Sequence, residues 1–115
     1  MNQSLPGIKQ FDLRGRVAVI TGGSKGLGLA MGSGLASAGA NIVLVSRNLQ
    51  EGQQAAQTLT KYGVKASAIS ADVSQQLQME AMANDVLDTY GRIDILINSA
   101  GINICLLYTS DAADD

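Results

Sequence analysis

The sequence predicts an α/β domain built on a doubly wound parallel sheet, and two features of the chain indicate it. Short apolar segments rich in β-branched residues alternate with longer segments of helical periodicity. The intervening segments are long enough to form the helical crossovers that parallel strands require. Right-handed crossovers then give the spatial strand order 3-2-1-4, in a sheet truncated after its fourth strand.

The first half of the pattern contains two strands and two helices. We expect a strand over residues 16–21, a helix over 26–38 and a second strand over 41–46. A second helix is predicted over residues 49–62, because Ala55, Ala56, Leu59 and Tyr62 recur at helical spacing. Gly63 follows as its C-terminal cap.

The second half repeats the alternation. A weaker strand is predicted over residues 65–71, and a helix over 74–90 with Ser74 as N-cap and Gly91 past its end. The apolar positions of this helix are Leu77, Met79, Met82, Val86 and Leu87. Residues 93–98 form the fourth predicted strand, whose near-continuous apolar character is typical of burial on both faces.

A glycine-containing loop joins the first strand to the first helix. It runs Thr21-Gly22-Gly23-Ser24-Lys25-Gly26-Leu27-Gly28. Its glycines allow a tight turn, a close approach of a pyrophosphate and close packing of the helix on the strand. The helix N-terminus adds unpaired N–H groups and a partial positive charge. This context predicts a nucleotide site on a Rossmann-type fold, and the loop lacks the Gly-Lys-Ser/Thr ending of an ATP-binding loop.

This loop resembles the TGxxxGxG segment of the short-chain dehydrogenase/reductase family. Two later segments match the family in order, namely Ala71-Asp72-Val73 and Asn98-Ser99-Ala100-Gly101, the second being similar to its Asn-Asn-Ala-Gly. The resemblance covers residues 11–104. It implies that Asp72 accepts from the adenine amino group and that the backbone of Val73 contacts the ring. It also implies that the backbone of Asn98, Ala100 and Gly101 passes against the cofactor.

Two alternatives accompany these assignments. An isolated Asp72 is also typical of a turn or a helix cap before Ser74. Ser99 stands where the family has a second asparagine, a mild change in side-chain hydrogen bonding.

The end of the second strand predicts NADP rather than NAD as cofactor. An acidic residue there would hold the ribose hydroxyl of NAD and repel the phosphate of NADP. This chain instead has Ser46 followed by Arg47, and Lys25 in the glycine loop adds a second cation. A single lysine or arginine at either position would be typical of a solvent-exposed surface residue. The prediction of NADP therefore depends on Lys25 and Arg47 together.

The family resemblance also implies an enzyme whose catalytic residues are absent from these 115 residues. Family members use a Ser and a Tyr-x-x-x-Lys pair that lie well beyond the fourth strand, whereas Tyr108 has no lysine after it. The intact parent is expected to transfer a hydride between NADPH and a carbonyl or secondary alcohol, of ketoacyl, sugar or polyol type. A non-catalytic NADP-sensing domain is the alternative, and the chain as written is expected to be inactive.

Composition excludes several other classes of function. The chain contains no histidine and one cysteine, so neither a zinc site nor a disulfide framework is expected. A net charge of −2 does not favour nucleic-acid binding. Because no segment resembles a membrane span or a signal peptide, we expect one cytoplasmic domain with no membrane partner. The family resemblance implies that the intact parent acts on a small-molecule substrate, and we expect it not to bind nucleic acid. The intact parent is expected to be a homo-oligomer.

The last eleven residues, 105–115, resemble a translated transposase sequencing adapter rather than a protein segment. We therefore expect residues 1–104 to be the N-terminal part of an NAD(P)-binding domain and residues 105–115 to be non-native. The alternative is a natural acidic tail.

Overall fold

The computed structural model describes residues 12–22, 24–99 and, by backbone pairing, 103–106. Four parallel strands form the sheet: β1 (Val17–Thr21), β2 (Asn41–Ser46), β3 (Ala66–Ser70) and β4 (Ile95–Asn98). A further strand, β5 (Asn103–Leu106), pairs antiparallel to β4. The spatial order is β3-β2-β1-β4-β5, which confirms the predicted order of the four parallel strands.

Three helices connect the strands close to their predicted bounds. They are α1 (Gly26–Ser37), α2 (Leu49–Leu59) and α3 (Gln76–Tyr90), and α2 continues as a 3-10 turn over Thr60–Tyr62. Gly63 and Gly91 follow with φ of 81° and 82°, the left-handed conformation that the predicted C-terminal caps require. Of the described helices, none has the length and apolar character to cross a membrane.

The core has two parts because alternate residues of each strand point to opposite faces of the sheet. On one face, Ala18, Ile20, Ile42 and Leu44 pack with side chains of α1 and α2. On the other face, Val17, Val19, Val43 and Val45 pack with Met82 and Val86 of α3. Helices therefore cover both faces, as a doubly wound sheet requires.

The parallel part of the sheet ends at β4, as predicted, but the sheet itself continues with one antiparallel strand, β5. Ile95 pairs with Leu106, and Asn98 pairs with Asn103. The chain between β4 and β5 is too short for a parallel crossover, so the next segment pairs antiparallel to β4. The open edge of β4 thus acquires a partner in β5.

Three details of the second half also differ from prediction. Ser74 is not the N-cap of α3, because Gln75 occupies that position. Leu77 and Leu87 are exposed, by 79% and 45%, since they lie off the helix stripe that Met79, Met82 and Val86 turn toward the sheet. Ile95 and Leu96 of β4 are half-buried rather than buried on both faces, and the described ranges contain no helix after β4.

Two glycines bring helices close to the sheet near its carboxyl edge. A Cβ on Gly32 would lie 3.2 Å from Cδ1 of Ile20, so α1 packs directly on β1. A Cβ on Gly52 would lie 3.1 Å from Cβ of Ala68 and 3.2 Å from Oγ of Ser46, so the start of α2 packs against β2 and β3. The contacts at Gly52 position the first turn of α2 beside the ends of β2 and β3.

A compact charge cluster occupies the opposite, amino edge of the sheet. Asp94 is only 7% exposed, and its carboxylate accepts from the backbone N–H of Val17 at 2.8 Å. The same carboxylate accepts from Nε and Nη2 of Arg92 at 2.8 and 2.7 Å. Arg16 adds a longer contact of 3.4 Å. The buried carboxylate is therefore held by backbone and side-chain donors together.

Candidate functional site

The predicted site segments meet at the carboxyl edge of the sheet. Thr21 is in register with Val45 and with Asn98, and Ser46 is in register with Ser70. The glycine loop follows β1, Arg47 follows β2 and Asp72 lies just after β3. Because ligands of open α/β sheets bind outside the carboxyl ends of the strands, this edge is the candidate site.

The glycine loop has the backbone geometry that an anion site needs. The N–H of Gly22 donates to the carbonyl of Val45 at 2.7 Å, and Gly22 has φ of 70°. Gly26 begins α1 with φ of 62°, and the position a Cβ would take is open space among the described residues. A side chain would therefore be strained there and would fill open space.

The start of α1 has no anionic group of its own among the described residues. Lys25 is the N-cap residue, its side chain makes no capping hydrogen bond, and the first turn contains no acidic residue. The described side chains thus leave the N–H groups of that turn uncapped, as a site for an external anion requires. Ser24 is half-buried, Leu27 is exposed and Gly28 is buried in α1.

The two cations predicted to select NADP are both exposed and both paired with carboxylates. Nζ of Lys25 lies 3.8 Å from Oε1 of Glu51, and the lysine side chain is 80% exposed. Nη2 of Arg47 lies 3.8 Å from Oδ1 of Asp72, and the arginine side chain is 79% exposed. Pairs this long and this exposed are weak, so a ligand phosphate could replace either carboxylate.

The end of β2 is held by short polar contacts. Oγ of Ser46, a half-buried residue, donates to the carbonyl of Asn48 at 2.8 Å. Oδ1 of Asn48 accepts from the N–H of Glu51 at 3.0 Å and caps α2. Ser46 therefore brings no charge to this edge, while Arg47 extends beyond it into solvent.

Asp72 makes the turn contacts that its alternative interpretation expected. Its Oδ1 accepts from the N–H of Ser74 at 3.0 Å and from Oγ of Ser74 at 2.7 Å. These hydrogen bonds, and then the charge of Arg47, hold the pKa of Asp72 below its ordinary value. The carboxylate is thus ionised near neutral pH, and its contact with adenine stays a prediction. Val73 beside it is 39% exposed.

Ser99 is a site residue whose role the sequence did not indicate. Its Oγ donates to the carbonyl of Thr21 at 2.6 Å and to that of Gly22 at 3.1 Å. Oγ1 of Thr21 in turn donates to Oδ1 of Asn98 at 3.2 Å. The end of β4 is therefore tied to the start of the glycine loop, across a sequence separation that no local pattern reveals.

Some predicted positions lie outside the described residues, namely Ala100, Gly101 and Tyr108. Glu51 and Gly52 lie at this edge of the sheet, although the sequence analysis did not predict them as site residues. The spacing of Asn48 and Glu51 resembles a helix-start pattern, in which a capping residue precedes an acidic residue by three positions, and it could have drawn attention to Glu51.

Comparison with known proteins shows that this chain is similar to dehydrogenases. A family model described as short chain dehydrogenase matches residues 16–114. The chain is 40% identical over 93 residues to L-rhamnose 1-dehydrogenase (NADP(+)) of Thermoplasma acidophilum, covering 80% of this chain and 37% of that protein.

Two solved structures show the same relationship. L-sorbose reductase of Gluconobacter frateurii, complexed with NADPH and L-sorbose, superposes with a TM-score of 0.71 at 40% identity, over 75% of this chain and 34% of that one. An NAD+-bound xylitol dehydrogenase superposes with a TM-score of 0.71 at 28% identity, over 74% of this chain and 33% of that one. This chain spans about a third of the length of these relatives.

Proposed function

This chain belongs to the short-chain dehydrogenase family, and on that premise we propose that it is the cofactor-binding part of an NADP-dependent oxidoreductase. The full-length protein, meaning the product of the complete reading frame, would transfer a hydride between NADPH and a carbonyl or secondary alcohol. The observation that carries the proposal is the exposed Arg47 beside an uncharged Ser46, at the same sheet edge as the uncapped start of α1.

The residues of this edge fit a dinucleotide. Gly22, Ser24, Gly26, Leu27 and Gly28 would hold the pyrophosphate, since the open space at Gly26 is what a close-lying phosphate needs. The adenine would lie by Asp72 and Val73, and the chain from Asn98 to Gly101 would pass along the cofactor. Lys25, Ser46 and Arg47 would surround the ribose phosphate of NADP.

The choice of NADP over NAD rests on this chain's own side chains, because its relatives include proteins described with either cofactor. A carboxylate at the end of β2 would repel a phosphate, and Ser46 places none there. Arg47 can bind a phosphate through two parallel N–H groups.

The substrate class is proposed as a sugar or polyol ahead of a ketoacyl compound. L-rhamnose 1-dehydrogenase, L-sorbose reductase and xylitol dehydrogenase, all similar to this chain, are named for such compounds. Discovery of a Ser and a Tyr-x-x-x-Lys pair in the complete reading frame would favour this enzyme, and their absence would favour the NADP-sensing alternative. The 115-residue chain by itself is proposed to be inactive.

The cofactor assignment is tested by replacing Ser46→Asp together with Arg47→Ala in the full-length protein. Loss of a charge-assisted hydrogen bond costs about 1.5–3 kcal/mol, so NADP should bind roughly 10- to 150-fold more weakly. NAD affinity should hold or improve. Dissociation constants for both nucleotides, measured by fluorescence titration, give the ratio directly.

A matched control is Arg14→Ala, which removes another exposed arginine, one that pairs with Asp12 away from this edge. It should leave both affinities unchanged. An unchanged ratio of NADP to NAD affinity in the Ser46/Arg47 variant would contradict the assignment.

We also propose that residues 105–115 are translated sequencing adapter joined to residues 1–104. A natural tail is the competing proposal, favoured by the family match that continues to residue 114. Amplification of independently prepared source DNA across the codon for Ile104 should give a different sequence from Cys105 onward. Recovery of the same eleven codons before a stop would support the natural tail instead.

A further inference from the structure

Helix α2 places a carboxylate beside one of the two cations of the proposed phosphate site. Oε1 of Glu51 lies 3.8 Å from Nζ of Lys25, and the glutamate side chain is 46% exposed. Glu51 belongs to the first turn of α2, which begins two residues after Arg47. Lys25 and Arg47 thus both lie near the start of this helix.

The position of Glu51 is determined by the packing of the helix start. Oδ1 of Asn48 accepts a hydrogen bond from the N–H of Glu51. The backbone carbonyl of Asn48 accepts one from the N–H of Gly52 at 3.0 Å. Gly52 packs against Ala68 and Ser46, since a Cβ on Gly52 would lie only 3.1 Å from Cβ of Ala68 and 3.2 Å from Oγ of Ser46. The backbone of Glu51 is therefore held beside the strand ends by the packing of the first turn of α2.

Glu51 differs from the other carboxylate of this edge. Asp72 is already bound by the N–H and Oγ of Ser74, so its charge is partly satisfied by the turn. Among the described residues, the ion pair of the Glu51 carboxylate is with Lys25 alone. An exposed pair of this length is weak enough to be exchanged for a ligand anion.

We propose that Glu51 is a specificity-determining residue that weakens the preference of this site for a 2′-phosphate over a free 2′-hydroxyl. This inference rests on the proposed NADP site. A phosphate bound by Lys25 would lie near the Glu51 carboxylate, and the two negative charges would repel each other. NAD adds no charge at that position, so its binding is indifferent to Glu51.

The test is Glu51→Gln in the full-length protein, with NADP and NAD titrated separately by calorimetry. Affinity for NADP should rise roughly two- to fivefold, the size of an exposed charge pair, while affinity for NAD stays constant. Glu51→Lys should raise the ratio of NADP to NAD affinity further. The gain should shrink when the ionic strength is raised from about 0.05 to 0.5 M, because salt screens exposed charges.

Glu80→Gln is the matched control, since Glu80 is an exposed glutamate of α3 that accepts from Gln76 at 3.1 Å. It makes the same change in net charge and should leave both affinities unchanged. The inference would be overturned if Glu51→Gln changed the affinities for NADP and NAD equally, or changed neither of them. If the Ser46/Arg47 variant still lowers the affinity ratio, the NADP site itself survives that outcome. If that ratio is also unchanged, both proposals fall.

Discussion

The two edges of one sheet use charged residues in opposite ways. At the amino edge, Asp94 is 7% exposed and lies 2.7–2.8 Å from its donors on Arg92 and Val17. At the carboxyl edge, Lys25 and Arg47 are about four-fifths exposed and lie 3.8 Å from their carboxylates. The first cluster is closed by the protein, and the second is open to solvent.

This difference separates charges that stabilise the fold from charges that can bind a ligand. A buried carboxylate must be fully hydrogen-bonded. Replacing the carboxylate of Asp94 would therefore leave the donors of Arg92 and the N–H of Val17 without their charged acceptor. Exposed pairs at long distance contribute little to stability and can exchange partners. In this sheet the open pairs lie at the carboxyl ends of the strands, where the glycine loop also begins.

The largest expected effect comes from breaking the amino-edge cluster. Asp94→Asn in the full-length protein should lower the free energy of unfolding by about 3 kcal/mol. The reason is that the NH2 group of asparagine would face the N–H donors of Arg92 and Val17, which a carboxylate oxygen now accepts. Chemical denaturation measures this loss, and NADP affinity of the folded variant should be unchanged. Loss of stability of the same size in Glu51→Gln would contradict the distinction between the two edges.

The next effect is confined to binding and tests the open edge. Gly26→Val should weaken NADP on the order of 100-fold, about 2.8 kcal/mol, since the side chain fills the space proposed for the pyrophosphate. Gly63→Val is the control, because Gly63 also has a positive φ and open space at its Cβ position among the described residues, but follows the 3-10 turn at the other end of α2. Both variants should melt at lower temperature through backbone strain, and tight NADP binding by Gly26→Val would argue against the site.

The smallest effect is a pH dependence of stability that the closed cluster should show. Burial raises the pKa of Asp94, but hydrogen bonds from Arg92 and from the N–H of Val17 outweigh it and hold the pKa below 3.8. The stabilisation by this group is therefore complete above pH 3.8 and is lost as the pH falls through the lower, folded value.

We accordingly expect the difference in unfolding free energy between the wild type and Asp94→Asn to be constant from about pH 7 to 5 and to shrink below about pH 4. Denaturation series at several pH values measure that difference. A difference that stayed constant into the acid range would show that Asp94 does not act through its charge.

The four parallel strands, the three helices and the order of the site segments were all predicted from the sequence. Apolar alternation and helical spacing are local properties, so the strands, the helices and the caps at Gly63 and Gly91 could be predicted from neighbouring residues. The meeting of the glycine loop, Arg47, Asp72 and Asn98 at one edge also followed, because the carboxyl ends of parallel strands meet there.

The tertiary structure alone decided the contacts between distant residues. The pairing of β5 with β4, the bonds of Ser99 to Thr21 and Gly22, and the pairing of Lys25 with Glu51 join residues whose proximity depends on how whole elements pack. Burial of Asp94 depends likewise on the register of β1 and β4. Local patterns therefore predicted that Lys25, Arg47 and Asp72 reach the carboxyl edge, whereas packing decided which charged residues are buried and bonded and which remain open to a ligand.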